Sequence, residues 1–200
     1  MKFCLKILLL IIIVSCSHSI KNNTDFASVI KKYSDSIKLN PRNIEGYYQR
    51  GIAYDSIQDF KKAICDFSEM IKLDTQDYRA YFNRGISYYK SFDDIRAVSD
   101  YSKAIELKPN SELAYLNRGI SLVNLQKYEE AIVDFSKTIE LNSKCMDAYY
   151  NRAFTYSAMG DNEKAIPDLT IFKDHADSKM DKFVFEQMIQ AMKNVETTKK

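Results

Sequence analysis

Residues 112–145 read ELAYLNRGISLVNLQKYEEAIVDFSKTIELNSKC, and the same words recur along the chain. EGYYQRGIAY spans 45–54, RAYFNRGISY spans 79–88, LAYLNRGISL spans 113–122 and DAYYNRAFTY spans 147–156. Gly51, Gly85 and Gly119 are 34 residues apart, with Ala153 a further 34 on. Each follows an arginine: Arg50, Arg84, Arg118 and Arg152. A fixed period of this length means stacked supersecondary units. Such stacks bury a continuous core and present an extended binding surface.

Each unit divides into two helical stretches. Tyr81, Gly85 and Tyr88 recur at helical spacing in a first half, and Ala131, Phe135 and Ile139 do so in a second. The polar turn Leu125-Gln126-Lys127 joins the halves of one unit. Lys108-Pro109-Asn110-Ser111 and Asn142-Ser143 separate units, with the residue types that stop one helix and cap the next. The unit is a helical hairpin, helix A then helix B.

With units starting at Ile44, Tyr78, Glu112 and Met146, the chain resembles the tetratricopeptide repeat family. Tyr47, Tyr81, Tyr115 and Tyr149 match its aromatic at position 4. Ala63, Ala97, Ala131 and Ala165 match position 20, and Phe67, Tyr101, Phe135 and Leu169 stand at position 24. The resemblance implies an all-α superhelix of hairpins in which Gly at position 8 faces Ala at position 20. Its full repeats cover 44–77, 78–111, 112–145 and 146–179. Residues 25–41 align with helix B alone and form a half repeat. Residues 180–196 should be an amphipathic cap whose buried face holds Phe183, Val184, Met188, Ala191, Met192 and Val195. Two departures stand out. Phe92 sits where the hairpin turn favours glycine, which predicts a rearranged turn. Pro167 lies inside the last helix B and predicts a kink there, and bulky Phe172 predicts different packing after it.

The N-terminus reads differently. Lys2 and Lys6 precede eight apolar residues, Ile7–Val14, and then Ser15-Cys16. The run is too short to span a bilayer and suits a signal-peptide core. It resembles a bacterial lipobox, implying cleavage after residue 15, lipidation of Cys16 and a polar tether to residue 24. The implied location is the cell envelope, at the outer membrane rather than the inner, since Ser17 lacks the retention signal that enteric bacteria use. Removing residues 1–15 takes two lysines from 29 basic residues and leaves 27 against 27 acidic ones. A neutral domain offers no electrostatic basis for nucleic acid. Cys65 and Cys145 lie more than two repeats apart and should remain free thiols.

Position 7 is arginine in every full repeat, and position 23 is aspartate: Asp66, Asp100, Asp134 and Asp168. The one-to-one match favours a structural ladder over a basic stripe for an acidic partner, with pairing either within a repeat or between neighbours. Position 6 holds Gln49, Asn83, Asn117 and Asn151. An amide side chain both donates and accepts, so this row can pair with a peptide backbone. In the family, helix A lines the concave face. The resemblance therefore implies a groove in which the amides are flanked by Tyr48, Phe82, Leu116 and Tyr150 and by Ile52, Ile86, Ile120 and Phe154. Position 5 is never basic, which departs from the family's clamp for acidic C-terminal tails. His18 and His175 are the only histidines, and no phosphate loop or metal-ligand spacing occurs. The sequence points to no enzyme, cofactor or metal. It points to a membrane-tethered scaffold that binds a protein or extended peptide. The competing readings are a structural subunit of an envelope assembly and an accessory scaffold for a cell-wall enzyme.

Overall fold

Side-chain acceptors at the residue before a helix mark the start of five of the elements. A computed structural model describes residues 26–176 and 178–198, with side chains up to 195. Its ten helices are α1 (Phe26–Leu39), α2 (Ile44–Ser56), α3 (Phe60–Leu73), α4 (Tyr78–Lys90), α5 (Asp94–Leu107), α6 (Glu112–Asn124), α7 (Tyr128–Leu141), α8 (Met146–Ala158), α9 (Asn162–Asp174) and α10 (Lys179–Thr198). Asn43, Asp59, Asp77, Asp93 and Asp161 each accept a backbone N–H of the first turn that follows. Those N–H groups have no partner within their own helix. Lys127 occupies the same place before α7 and makes no side-chain cap bond.

The A-to-B turns are alike in all four repeats, which corrects the expectation at Phe92. Gln58, Phe92, Gln126 and Gly160 have φ of 63°, 63°, 60° and 81°. The Phe92 N–H donates to the Tyr89 carbonyl at 2.9 Å, and the Asp93 N–H to the Tyr88 carbonyl at 2.9 Å. The turn at Gln126 makes the same two bonds, to Val123 and Leu122. These bonds and the packing of the two helices fix the left-handed residue. The cost for a residue with a Cβ, on the order of 1–2 kcal/mol, is borne rather than avoided. The Phe92 ring stands almost wholly in solvent, 94% exposed.

Within a hairpin, the close approach is between glycine and an aromatic ring. A Cβ on Gly119 would lie 2.6 Å from the Phe135 ring, and one on Gly51 or Gly85 would lie equally close to Phe67 or Tyr101. Position 8 therefore makes room for position 24 of its own repeat. The ring, rather than the alanine at position 20, supplies the atoms nearest the glycine. Ala63, Ala97, Ala131 and Ala165 are fully buried all the same. In the fourth repeat both partners change together: Ala153 faces a core that holds Leu169 in place of the ring.

Each helix packs on the next in sequence, and each A helix also touches the A helix of the following repeat. No such contact joins neighbouring B helices. The A helices are therefore the closer-spaced, inner row of a curved stack. α9 runs unbroken through Pro167. Phe172 packs against Tyr150 and Phe185 with ring centroids 5.0 Å from each. An aromatic cluster there replaces the small buried residues Ala104 and Thr138 of the preceding repeats.

The inward face of the cap helix overlaps the expected one at Val184, Met188 and Met192 but is centred on Phe185 and Ile189. Phe185 and Ile189 are buried, with Met188 and Met192 packed beside them. Phe183 is 60% exposed and Val195 47%. Two apolar stripes run along α10, and the one beginning at Phe185 meets the aromatic cluster. Cys65 and Cys145 are free, as expected. No helix among the described residues is long and apolar enough to cross a membrane.

Candidate binding face

The Arg and Asp rows pair within each repeat. Arg50 Nε and Nη2 donate to Asp66 at 2.8 and 2.7 Å, and Arg84 to Asp100 at 2.7 and 2.8 Å. Arg118 meets Asp134 at 2.7 Å twice, and Arg152 meets Asp168 at 2.6 and 2.8 Å. Bidentate geometry fixes orientation as well as distance. The carboxylates are nearly sealed from solvent, so removing one partner would leave a buried charge uncompensated. The bonds to aspartate raise each guanidinium above its ordinary value. Burial pushes the Asp66 and Asp134 carboxyls up against the pull of their arginines.

A second row completes the ladder. The third guanidinium nitrogen, Nη1, reaches back one repeat: Arg50 donates to Ser34 at 3.1 Å, Arg84 to Ser68 at 3.0 Å, Arg118 to Ser102 at 3.0 Å and Arg152 to Ser136 at 2.9 Å. Ser68, Ser102 and Ser136 each donate their own proton to the carbonyl four residues earlier. That leaves their lone pairs for the arginine. One arginine thus ties helix A to its own helix B and to the helix B before it. Tyr47, Tyr81, Tyr115 and Tyr149 lie under these guanidinium groups at 5.6–5.9 Å. The arginines are therefore occupied by the structure and offer no basic stripe. The serine row was missed in the sequence, although a serine follows position 24 in the half repeat and in the first three full repeats, with Thr170 in the fourth.

The position-6 amides lie on the inner helices and are half-buried. Asn83 and Asn151 each donate one N–H to the carbonyl four residues earlier, at 2.8 and 2.7 Å. Gln49 donates to Glu45 at 2.7 Å. The Asn117 side chain makes no hydrogen bond among the described residues. The apolar flanks divide. Leu116 belongs to the core of the third repeat, and Tyr150 lies under the cap helix in ring contact with Phe172 and Phe185. Phe82 stacks on Tyr78 at 5.8 Å. Tyr48, Ile52 and Ile120 pack partly against core residues, and Ile86 is half-buried. Phe154 is the open one, 38% exposed. Leu113, which the sequence reading passed over, joins it at 51%.

Charge varies along this face. Glu45 meets Arg79 at 3.3 Å, and Asp55 pairs with Lys90, so the first two repeats neutralise each other. In the third repeat Leu113, Asn117 and Ile120 on this face carry no charge, Leu116 and Val123 pack into the core, and Asn124 donates to the Asp94 carboxylate at 3.1 Å. Buried behind it, the Ser121 hydroxyl has no hydrogen-bond partner among the described residues, where the first repeat has Ala53. No group of three His, Cys, Asp or Glu among the described residues is placed to hold a metal ion.

Tetratricopeptide repeat family models match residues 78–111, 113–145 and 147–170. None of the curated proteins matches the sequence. Among solved structures, MamA is 24% identical over 75% of this chain and 88% of its own, with a TM-score of 0.73. YrrB, titled a TPR protein with an unusual peptide-binding site, is 22% identical over 81% of this chain and 84% of its own, with a TM-score of 0.71. The first TPR of Spaghetti (RPAP3), bound to the HSP90 peptide SRMEEVD, is 24% identical over 58% of this chain and 93% of its own, with a TM-score of 0.57. At these identities the likeness speaks for the fold alone. The chain is an all-α solenoid of tetratricopeptide repeats.

Proposed function

We propose that this protein is a membrane-tethered scaffold that captures a partner protein, through an extended segment, on the inner face of its A helices. It acts by binding rather than by catalysis. The observation that carries the reading is the uncharged face of the third repeat, where the unpartnered Asn117 amide lies on the same helix as exposed Leu113. An amide of this kind can both donate to and accept from a peptide backbone, while Leu113 and Phe154 supply apolar contact. The peptide-binding site of YrrB and the HSP90 peptide on the first TPR of RPAP3 add support by analogy of fold. Replacing Asn83, Asn117 and Asn151 with Ala should cut partner capture from envelope extracts at least tenfold and leave the melting temperature within a few degrees. Capture at the wild-type level would refute the groove.

The tether rests on the lipobox reading of Cys16, which lies outside the described residues. Cys16→Ala should move the protein from the membrane to the soluble fraction on cell fractionation. Continued sedimentation with membranes would show that something else holds it. One observation favours a second reading, a subunit of an envelope assembly. Phe92 and Ile95, 94% and 72% exposed, form an apolar spot on the turn away from the inner row. Under that reading Phe92→Ser, and not the asparagine row, would abolish capture.

A further inference from the structure

The first two repeats show how this inner face holds a cation. Glu45 and Tyr48, at positions 2 and 5 of α2, lie one turn apart on one side of the helix. The Arg79 guanidinium, brought by the next A helix, donates from Nη1 to Glu45 at 3.3 Å and lies over the Tyr48 ring at 4.8 Å. Asp77 takes the other two nitrogens at 3.0 and 2.7 Å. Asp55 pairs with Lys90 in the same sense. The carboxylates of α2 are thus met by cations of α4.

The fourth repeat has the same acceptor without the cation. Asp147 and Tyr150 stand at positions 2 and 5 of α8, three 34-residue steps after Glu45 and Tyr48. Asp147 is exposed and forms no ion pair among the described residues. Phe185 meets the Tyr150 ring nearly at right angles, with centroids 6.4 Å apart, and Tyr150 stays half-buried. Glu112, at the start of α6, also forms no ion pair among the described residues. Burial pushes the Cys145 thiol up, and the charges of Asp147 and Glu112 push it the same way, so both carboxylates lie near it. The only cations on α6 and α8 are Arg118 and Arg152, and the ladder holds both. Exposed Leu113 precedes Asp147 in the position-2 row, and exposed Phe154 lies two turns along α8 from it.

We infer that the captured segment carries an arginine, seated on the fourth repeat between the Asp147 carboxylate and the Tyr150 ring, beside an apolar residue that rests on Leu113 and Ile120. This rests on the capture proposed above and names its partner chemistry. The arginine does for Asp147 and Tyr150 what Arg79 does for Glu45 and Tyr48. A guanidinium pairs with a carboxylate and lies flat on a ring at once, which an ammonium does less well. Neighbouring helices lie about 8–10 Å apart, so the two residues stand roughly two to four places apart in an extended segment. An acidic segment is turned away, since it would face Asp147 and Glu112 with no free cation on α6 or α8 to meet it.

The test is selection of random peptides displayed on phage against the purified full chain in mild detergent, with circular dichroism confirming that each variant is folded. Wild-type protein should enrich peptides with an arginine close to an apolar residue, and lysine at that place should come second. Selection on Asp147→Lys should lose the arginine and gain glutamate or aspartate there. In fluorescence anisotropy the best wild-type peptide should bind Asp147→Lys about tenfold more weakly, and the same peptide with glutamate for its arginine should recover most of that loss. Peptides that need Asn117, being lost on Asn117→Ala, yet carry no arginine or bind Asp147→Lys at the wild-type level, overturn this inference and leave the groove standing. Peptides indifferent to both substitutions, or no enrichment at all, overturn the groove and the inference with it.

Discussion

The arginine at position 7 does most to define this stack. Its guanidinium spends two donors on the aspartate of its own repeat and one on the serine of the repeat before. Equal counts of Arg and Asp made the pairing legible in the sequence. The sense of the pairing was not, because a 34-residue register fits contacts within and between repeats equally well. The glycine row was legible as a close approach, but not that the ring at position 24 comes nearest to it. The fourth repeat supplies its own control, with Ala153 and Leu169 in place of Gly and a ring. Gly119→Ala should cost about 1–3 kcal/mol by overpacking, less about 1 kcal/mol regained in helix propensity. Adding Phe135→Leu should recover part of that loss, giving a coupling of roughly 1 kcal/mol in a urea-unfolding double-mutant cycle. Additive losses would mean that the two positions do not compete for the same space.

Among the elements, the B helices show one inconsistency. α3, α5 and α9 start at Asp59, Asp93 and Asp161, whose carboxylates accept the first-turn N–H and pair with a basic residue three places on. In α7 the order is reversed, with Lys127 at the cap and Glu130 three places on. The exposed Lys127–Glu130 pair is worth little, while a cap acceptor is worth about 1 kcal/mol. Lys127→Asp should therefore raise the melting temperature by a few degrees, read by circular dichroism, and an unchanged or lower value would show that α7 needs no cap. The division of each unit into two helices was legible in the sequence, because capping residues and Pro109 mark where helices stop and start. Two things at this scale were not. The turn at Phe92 kept its left-handed residue because hairpin packing outweighs a local penalty. The inner face of α10 was assigned only in part, at Met188 and Met192, because Phe183 and Phe185 begin two apolar stripes and the cluster of Tyr150 and Phe172 takes the second.

At the scale of the molecule, the repeats separate what builds the stack from what is left over. Gly, Ala and the rings fill it, and Arg, Asp and Ser brace it. The inner face retains the amides and a stretch without charge in the third repeat. Part of the flank expected for a groove is in fact core, at Leu116 and Tyr150, since a residue on helix A can serve the next repeat as easily as a ligand. The central claim is that a partner lies along the inner helices. A photo-crosslinking amino acid placed in cells at Asn117, and separately at exposed Val133 on helix B, tests it most directly. The account predicts a discrete crosslinked species from position 117 and none from 133. A species from 133 alone would contradict it.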